Sequence, residues 1–196
     1  VVNGKLPTSL DGVSVTINGK PAFVYYISST QINVQAPSDT ATGAVDVVVN
    51  NNGAISAPVE AQLQAVAPAF FTYLGTNGAI ASRLPDYAPV GGPSGTKTAP
   101  AKAGDTIVLW GTGFGATIPA VGAGSAVSGA PIVANTPVVT VGGMEPRVIS
   151  AVLTTGTAGL YQITVQLPAG LPSGALEVQA TVGGVKSPSG VTLVVQ

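Results

Sequence analysis

The sequence predicts an all-β protein made of two tandem sandwich domains. Residues 161–168, YQITVQLP, alternate apolar with polar side chains up to a proline, and residues 30–37, TQINVQAP, are a near-copy. A period of two is typical of a strand with one face on a core and one in water. The copies lie 131 residues apart (162 − 31), and the same offset relates four further pairs: Gly43 and Gly174, Asp46 and Glu177, Gly53 and Gly184, Ser56 and Ser187.

Composition supports the same fold class. Hydrophobic residues make up 45% of the 196 residues and charged residues only 8%, with 26 Gly and 16 Pro. About a quarter of the residues are charged in an average globular protein. The chain is therefore too apolar for a disordered protein and too rich in Gly and Pro for a helical one. Its length suits two domains of about 100 residues.

The first domain is predicted over residues 1–73. Residues 12–17 alternate apolar with polar side chains, and Asn18-Gly19 supplies the positive φ angles of a two-residue hairpin turn. Turn signals about every 8 to 12 residues are typical of two packed sheets. Further strands are predicted at 21–27, 30–36, 44–49 and within 54–66.

The second domain is predicted over residues 101–196, after a connection at 74–100 that is rich in Gly, Pro, Ser and Ala. Aromatic and aliphatic side chains in that connection favour a packed segment over a loose tether. A long loop at 115–135 follows the opening strand. The strands are predicted at 105–110, 138–141, 147–153, 160–167, 175–182 and 191–195.

The first domain lacks a counterpart of the 105–110 strand, because only residues 1–11 precede its hairpin. A sandwich without its first strand leaves unpaired backbone groups along an edge. Three sources could fill that edge. They are an upstream segment, residues 78–81, or a strand donated by another molecule.

Two stretches resemble known families. Asp105–Gly115, with the hairpin at Gly142-Gly143, resembles the opening of IPT/TIG-type immunoglobulin-like domains. Residues 6–22, with 25–28, 30–33 and 160–168, resemble a family of acidobacterial domains found near the C-termini of large secreted proteins. The resemblance implies two immunoglobulin-like sandwiches, of which 101–196 is the complete IPT/TIG-like one, and an extracellular bacterial setting. It brings no reaction and no catalytic residues.

The residue inventory excludes several kinds of chemistry. The chain has no His and no Cys, which removes imidazole and thiolate catalysis and the usual zinc ligands, and no cofactor is predicted. Net charge is −1 with no basic stripe, so nucleic acid is not an expected partner. No stretch is apolar enough to span a membrane. Gly111–Gly115 lacks the spacing of a phosphate-binding loop and is interpreted as a structural turn or bulge.

A carboxylate-dependent hydrolase is the least favoured hypothesis. Such an enzyme needs two acidic side chains facing each other across a cleft. Asp46 and Glu177 occupy equivalent positions of the two repeats and lie between apolar neighbours on alternating strands. Both are expected to point into solvent. The chain is accordingly predicted not to be an enzyme.

Phe23, Tyr25 and Tyr26 form the one cluster with binding potential. Aromatic rings on a sheet face can stack on sugars or anchor a protein partner, although most aromatic strand residues belong to the core. An exposed row of Phe23 and Tyr25 would favour binding.

Two functions remain after these exclusions. The first is a non-enzymatic structural or adhesive module, extracellular or at the cell surface, that assembles into a homo-oligomer or polymer through strand donation between subunits. The alternative is a carbohydrate-binding accessory module of a secreted bacterial enzyme, with a polysaccharide as its partner.

Overall fold

A computed structural model describes residues 4–196, which form twenty β-strands and no helix. The predicted all-β fold class is confirmed. In the described part of the chain, no helix is long and apolar enough to cross a membrane. The strands are β1 (Ser9–Leu10), β2 (Val13–Ile17), β3 (Lys20–Pro21), β4 (Phe23–Ile27), β5 (Ile32–Gln35), β6 (Gly43–Asn51), β7 (Ala54–Ile55), β8 (Val59–Leu63), β9 (Ala69–Phe70), β10 (Ala81–Arg83), β11 (Ala88–Val90), β12 (Thr106–Thr112), β13 (Thr117–Ile118), β14 (Ile132–Val133), β15 (Val138–Val141), β16 (Arg147–Leu153), β17 (Tyr161–Gln166), β18 (Gly174–Val182), β19 (Val185–Lys186) and β20 (Thr192–Val195).

The chain folds into two compact units whose sequences interleave. Unit 1 contains β1–β8 together with residues 120–130 and 154–159, and unit 2 contains β9–β20. This division differs from the sequence expectation of a boundary at 73 and a connection at 74–100. The stretch after residue 65 supplies β9, β10 and β11, and both β9 and β10 pair with β12 in unit 2. Residues 78–81, considered as a filler for the first domain, also lie in unit 2, where Ala79 N donates to the Thr192 carbonyl at 2.7 Å.

Unit 1 contains two antiparallel sheets. The larger has the order β1-β2-β6-β7, with β3 also paired to β2 and β8 also paired to β6, and the smaller is β4-β5. Its core is small, because only seven apolar residues are buried there among the described residues. They are Leu6, Val15, Ala22, Val24, Val45, Val127 and Ala158.

Unit 2 is the larger sandwich. One sheet has the order β11-β10-β12-β17-β16-β14-β13, with β9 also paired to β12, and the other has the order β15-β18-β19, with β20 also paired to β18. The central strand β12 is buried on both faces, since Ile107, Val108 and Leu109 are each 0% exposed. Such complete burial matches the near-continuous apolar sequence of this strand.

The sequence repeat is also a repeat of strand pairing. β4 pairs with β5 as β16 pairs with β17, and each pair contains one β-bulge at the same place. The bulge residues are Tyr25 and Ile149, since the register shifts between Val24 and Tyr26 and between Val148 and Ser150. The matching partners are Phe23–Gln35 with Arg147–Gln166, Val24–Val34 with Val148–Val165, Tyr26–Asn33 with Ser150–Thr164, and Ile27–Ile32 with Ala151–Ile163.

A serine closes the equivalent hairpin in each unit. Val49 N donates to Ser56 Oγ at 3.0 Å, and Ser56 N donates to the Val49 carbonyl at 2.9 Å. In unit 2, Ala180 N donates to Ser187 Oγ at 2.9 Å, and Ser187 N donates to the Ala180 carbonyl at 2.8 Å. Ser56 is exposed and Ser187 is only 5% exposed. The same hydrogen bonds are therefore exposed to solvent in unit 1 and buried in unit 2.

The glycines of Gly111–Gly115, interpreted from the sequence as a structural turn or bulge, allow a close approach of two backbone segments. A Cβ at Gly113 would lie 1.9 Å from the Ala67 carbonyl oxygen, and one at Gly111 would lie 2.5 Å from the Ala69 carbonyl oxygen. Gly113 also has a φ of +76°, which L side chains rarely adopt. The hydroxyl of Tyr161 donates to the Gly115 carbonyl and fixes the end of this turn.

Asp39 ties the β2–β3 hairpin to the segment that enters β6. Its carboxylate accepts from Lys20 Nζ at 2.8 Å, from Asn18 Nδ2 at 2.9 Å and from Ala41 N at 3.0 Å. The hydrogen bond from Lys20 is the main reason that the pKa of Asp39 is held well below its usual range, followed by those from Ala41 and Asn18. A carboxyl whose pKa is lowered by folding stabilises the folded state at neutral pH, and this contribution is lost as the pH falls.

We predict that Ser187→Ala lowers the free energy of unfolding of unit 2 by about 1–3 kcal/mol, because the buried Ala180 N–H loses its acceptor. The matched change Ser56→Ala costs about 1 kcal/mol or less, since water replaces the exposed hydroxyl. Urea unfolding measures both. The single tryptophan, Trp110 in β12, reports unit 2, and hydrogen exchange of the β6 amides reports unit 1. Equal losses in the two variants would contradict this account.

We predict that Asp39→Asn destabilises unit 1 at pH 7 and reduces its sensitivity to acid. In the unaltered chain the stabilisation from Asp39 is complete at neutral pH and declines below about pH 4, the usual range of an Asp pKa. Hydrogen exchange of the β2 amides between pH 7 and pH 3 measures both effects. Asp46→Asn is the matched control, expected to change stability by no more than about 0.5 kcal/mol because Asp46 is exposed. An unchanged acid response in Asp39→Asn would refute the assignment.

Candidate functional site

The three predicted binding residues lie on β4, and the structure separates them. Tyr25 is 56% exposed and Tyr26 is 47% exposed. The β-bulge between Val24 and Tyr26 interrupts the alternation of the strand, so two consecutive tyrosines both reach solvent. The sequence pattern had placed them on opposite faces, because a bulge leaves no signal in a period of two.

Phe23 is half-buried by other parts of unit 1. Its ring packs so closely on Gly124 that a Cβ there would lie 2.3 Å from Phe23 Cδ1. Lys5 Nζ lies 5.0 Å from the ring centroid, within the range of a cation–π interaction. An exposed row of Phe23 and Tyr25 is therefore not formed. The exposed aromatic pair is Tyr25 and Tyr26.

The segment that packs on Phe23 is the strap, which we define as residues 120–130. It belongs to the loop predicted at 115–135 between two strands of the second repeat, yet it packs in unit 1. Leu6 N donates to the Gly124 carbonyl at 2.7 Å, and Ala126 N donates to the Gly4 carbonyl at 2.8 Å. Gly124 N in turn donates to Gln35 Oε1 at 2.9 Å.

The outer edge of β5 has no partner strand within residues 4–196. The Gln31 carbonyl accepts from Ser28 N at 2.8 Å, so Gln31 faces the β4 side. Backbone groups of successive strand residues alternate in direction, which turns those of Ile32 and Val34 away from β4. In the described part of the chain no strand pairs with that side of β5.

Unit 2 fills the equivalent edge with β12. Ile163 and Val165, the counterparts of Ile32 and Val34, lie opposite Leu109 and Ile107 of β12. Both counterparts are 0% exposed, whereas Ile32 and Val34 are only half-buried. Nearly the same strand sequence therefore has its outer edge paired with β12 in unit 2 and unpaired in the described part of unit 1.

A second open edge lies along β8. The Asp46 carbonyl accepts from Asn18 N at 2.9 Å on the β2 side, so by alternation Val45 and Val47 face β8. Their partners on β8, Ala61 and Val59, face β6 in return. The backbone groups of Glu60 and Gln62, which alternate with them, therefore point away from β6. Among the described residues no element pairs with that side, and the first four residues of β8 are exposed.

Unit 2 covers this edge as well. Thr192 and Val194 of β20 are the counterparts of Glu60 and Gln62, because Leu63 lies opposite Gly43 and Val195 lies opposite Gly174. The outward groups of Thr192 are paired, since Ala79 N donates to the Thr192 carbonyl at 2.7 Å and Thr192 N donates to the Asn77 carbonyl at 2.8 Å. Those of Val194 are paired as well, since Ala101 N donates to the Val194 carbonyl at 2.9 Å and Val194 N donates to the Gly91 carbonyl at 2.8 Å.

The two carboxylates singled out by the repeat belong to different units. Asp46 on β6 and Glu177 on β18 are both exposed, as predicted. Asp46 lies opposite Glu60 on β8, and Glu177 Oε1 accepts from Gly190 N at 2.9 Å. Residues 4–196 contain no group of three or more acidic side chains that could hold a metal ion.

Comparison with known proteins supports the immunoglobulin-like class. Residues 5–73 match the family model of the IPT/TIG domain. This match covers the first repeat, whereas the sequence resemblance had been placed at Asp105–Gly115 in the second. A comparison with curated proteins gave no match.

A comparison with solved structures matched "Structure of the S-layer protein SbsC, domains 5-6", at 17% sequence identity. The similarity covers 94% of this chain and 80% of that chain, with a TM-score of 0.26. A TM-score this low supports no inference about function. The immunoglobulin-like fold and the two open edges of unit 1 therefore carry the functional proposal.

Proposed function

We propose that the chain is a non-enzymatic structural module that assembles with other copies through the open strand edges of unit 1. The observation that carries this proposal is the difference between the repeats. Unit 2 hydrogen-bonds the outward groups of both β17 and β20, while the outward groups of β5 and β8 have no partner strand in residues 4–196. Such edges readily pair with another chain.

The composition of the edges supports an assembling role. Monomeric β-proteins usually protect open edges with Lys, Pro or inward-pointing charges. β5 carries no charged side chain, and the only charged residue of β8 is Glu60. Along β8, Val59 is 67% exposed and its neighbour Ala61 is also exposed.

The setting proposed for this assembly is the cell surface or the extracellular space. The resemblance of residues 6–22 to acidobacterial domains of secreted proteins supports that location. The IPT/TIG match over residues 5–73 is compatible with a repeated extracellular spacer.

We predict that the chain self-associates in a concentration-dependent way and that Gln62→Pro weakens this association at least tenfold. Proline removes the outward N–H of residue 62 and leaves the ladder from β8 to β6 intact, since edge strands tolerate proline on their solvent side. Sedimentation over a wide concentration range measures the association. Gln62→Thr is the matched control, because it keeps the N–H and suits a strand. A chain that stays monomeric at every concentration, or equal behaviour of the two variants, would overturn self-assembly through β8.

A second candidate function is carbohydrate binding at Tyr25 and Tyr26. Their exposure of 56% and 47% favours it, because exposed aromatic rings can stack on sugar rings. We expect the double change Tyr25→Ala and Tyr26→Ala to abolish retention on insoluble polysaccharides if this function is correct. Tyr87→Ala, which removes another exposed tyrosine from unit 2, is the control. Retention that survives the double change, or that is absent from the unaltered chain, rejects this candidate.

A further inference from the structure

We infer that the open edge of β5 accepts an antiparallel strand from another polypeptide chain, and that this donor strand has the residue pattern of β12. The inference rests on the proposed function, since it names the partner of one of the two open edges. Unit 2 supplies the template, because it contains the same edge with its partner in place.

The two edges are equivalent in sequence and in geometry. Residues 30–37 are a near-copy of residues 161–168, and β4-β5 and β16-β17 share their register and their bulge. The strand next to β17 in unit 2 is β12, which pairs with it over six residues. A strand that fits β17 therefore fits β5 by its backbone.

The template fixes the register of the donor. In unit 2 Ile107 lies opposite Val165 and Leu109 lies opposite Ile163. Transferring these pairs by the offset of 131 places the donor residues equivalent to Ile107 and Leu109 opposite Val34 and Ile32 (165 − 131 and 163 − 131). The donor residue between them lies opposite Asn33.

The hydrogen-bonding phase follows from the same template. Leu167 N donates to the Asp105 carbonyl at 2.8 Å, so the odd-numbered residues of β17 exchange hydrogen bonds with β12. Ile32 and Val34 are accordingly hydrogen-bonding positions for a donor. Asn33 is a non-hydrogen-bonded position, where facing Cα atoms lie about 4.5 Å apart.

The chemistry of the donor is apolar at alternate residues. Ile107 and Leu109 are each 0% exposed in unit 2, while Ile32 and Val34, the residues that a donor would face, are half-buried in unit 1. No residue from 30 to 36 is charged, so charge does not select the partner. Two apolar side chains two residues apart, presented by an extended backbone, are what this edge requires.

Disulfide trapping tests the register directly, because the chain has no cysteine of its own. The probe is a synthetic peptide with the sequence of residues 105–112 and two added C-terminal lysines. Asn33→Cys in the chain should form a disulfide with the peptide variant Val108→Cys at least ten times more than with the variant Trp110→Cys. Facing Cα atoms about 4.5 Å apart suit a disulfide, whereas a shift of two residues moves the thiols about 7 Å along the strand.

The reciprocal variant controls for thiol reactivity. Gln31→Cys in the chain should prefer the Trp110→Cys peptide, since Trp110 lies opposite the equivalent Gln162 in unit 2. A peptide in which Ile107 and Leu109 are both replaced by Asn should lose trapping at either position. Equal yields for all peptides would overturn the inference.

Hydrogen exchange separates the possible occupants of the edge. Saturating peptide should slow exchange of the Ile32 and Val34 amides at least tenfold, without affecting Ile163 and Val165. If Ile32 and Val34 already exchange as slowly as Ile163 and Val165 in a dilute chain, a segment of the same chain occupies the edge and donation is wrong.

The outcome is distinct from that of the self-assembly test. A chain that associates in a manner sensitive to Gln62→Pro but traps no peptide in register keeps the proposed function and overturns the donor inference. A chain that stays monomeric but traps the peptide in register supports the donor inference and overturns self-assembly.

Discussion

Every backbone N–H and C=O along a strand needs a hydrogen-bond partner, and this requirement determines how the two repeats differ. In unit 2 the stretch from β9 to β12 supplies hydrogen-bond partners to two strands, β17 and β20. β12 pairs with β17, while Asn77, Ala79, Gly91 and Ala101 bond the outward groups of β20. Unit 1 has the same β6 hairpin and the same β4-β5 pair but contains no equivalent of that stretch in its described residues. Its smaller buried core follows from this difference.

Burial changes the value of equivalent hydrogen bonds. The serine that closes each hairpin makes the same two hydrogen bonds, yet Ser56 is exposed to water and Ser187 is buried within unit 2. Water can replace an exposed partner and cannot replace a buried one. Unit 1 instead relies on Asp39, whose charge-assisted bonds hold the hairpin to the incoming strand. Unit 1 therefore combines a small buried core with the charge-assisted hydrogen bonds of Asp39.

Local patterns were sufficient to predict the repeated strands. The period of two located β5 and β17, and Asn18-Gly19 adopts the positive φ angles of 51° and 70° that its hairpin requires. The open position beside β5 followed from comparing the two repeats, since β17 pairs with β12 and the described residues contain no such partner for β5. These features depend on neighbours in sequence or on one repeat serving as a template for the other.

Features that depend on distant residues were not predictable from the sequence. The stretch 74–100 has little periodicity, so its short strands become visible only beside β12. The bulge at Tyr25 follows from pairing with β5 and not from any property of tyrosine. The strap gave no signal either, because small residues such as those near Gly124 fit a loop as well as a packed segment.

The interleaving of the two sequences affects the order in which the protein can mature. Unit 1 includes the strap and residues 154–159, so it has all its parts only after the ribosome has made most of the chain. Domains usually fold from the N-terminus as they emerge, whereas unit 1 is completed by residues that lie far along the chain from its first strands. The entropic cost of closing so long a loop grows only slowly with its length, whereas pairing between distant residues slows folding markedly. Until those residues are made, Phe23 and the side chain of Gln35 lack the contacts that the strap supplies, and the outer edges of β5 and β8 remain accessible to other chains.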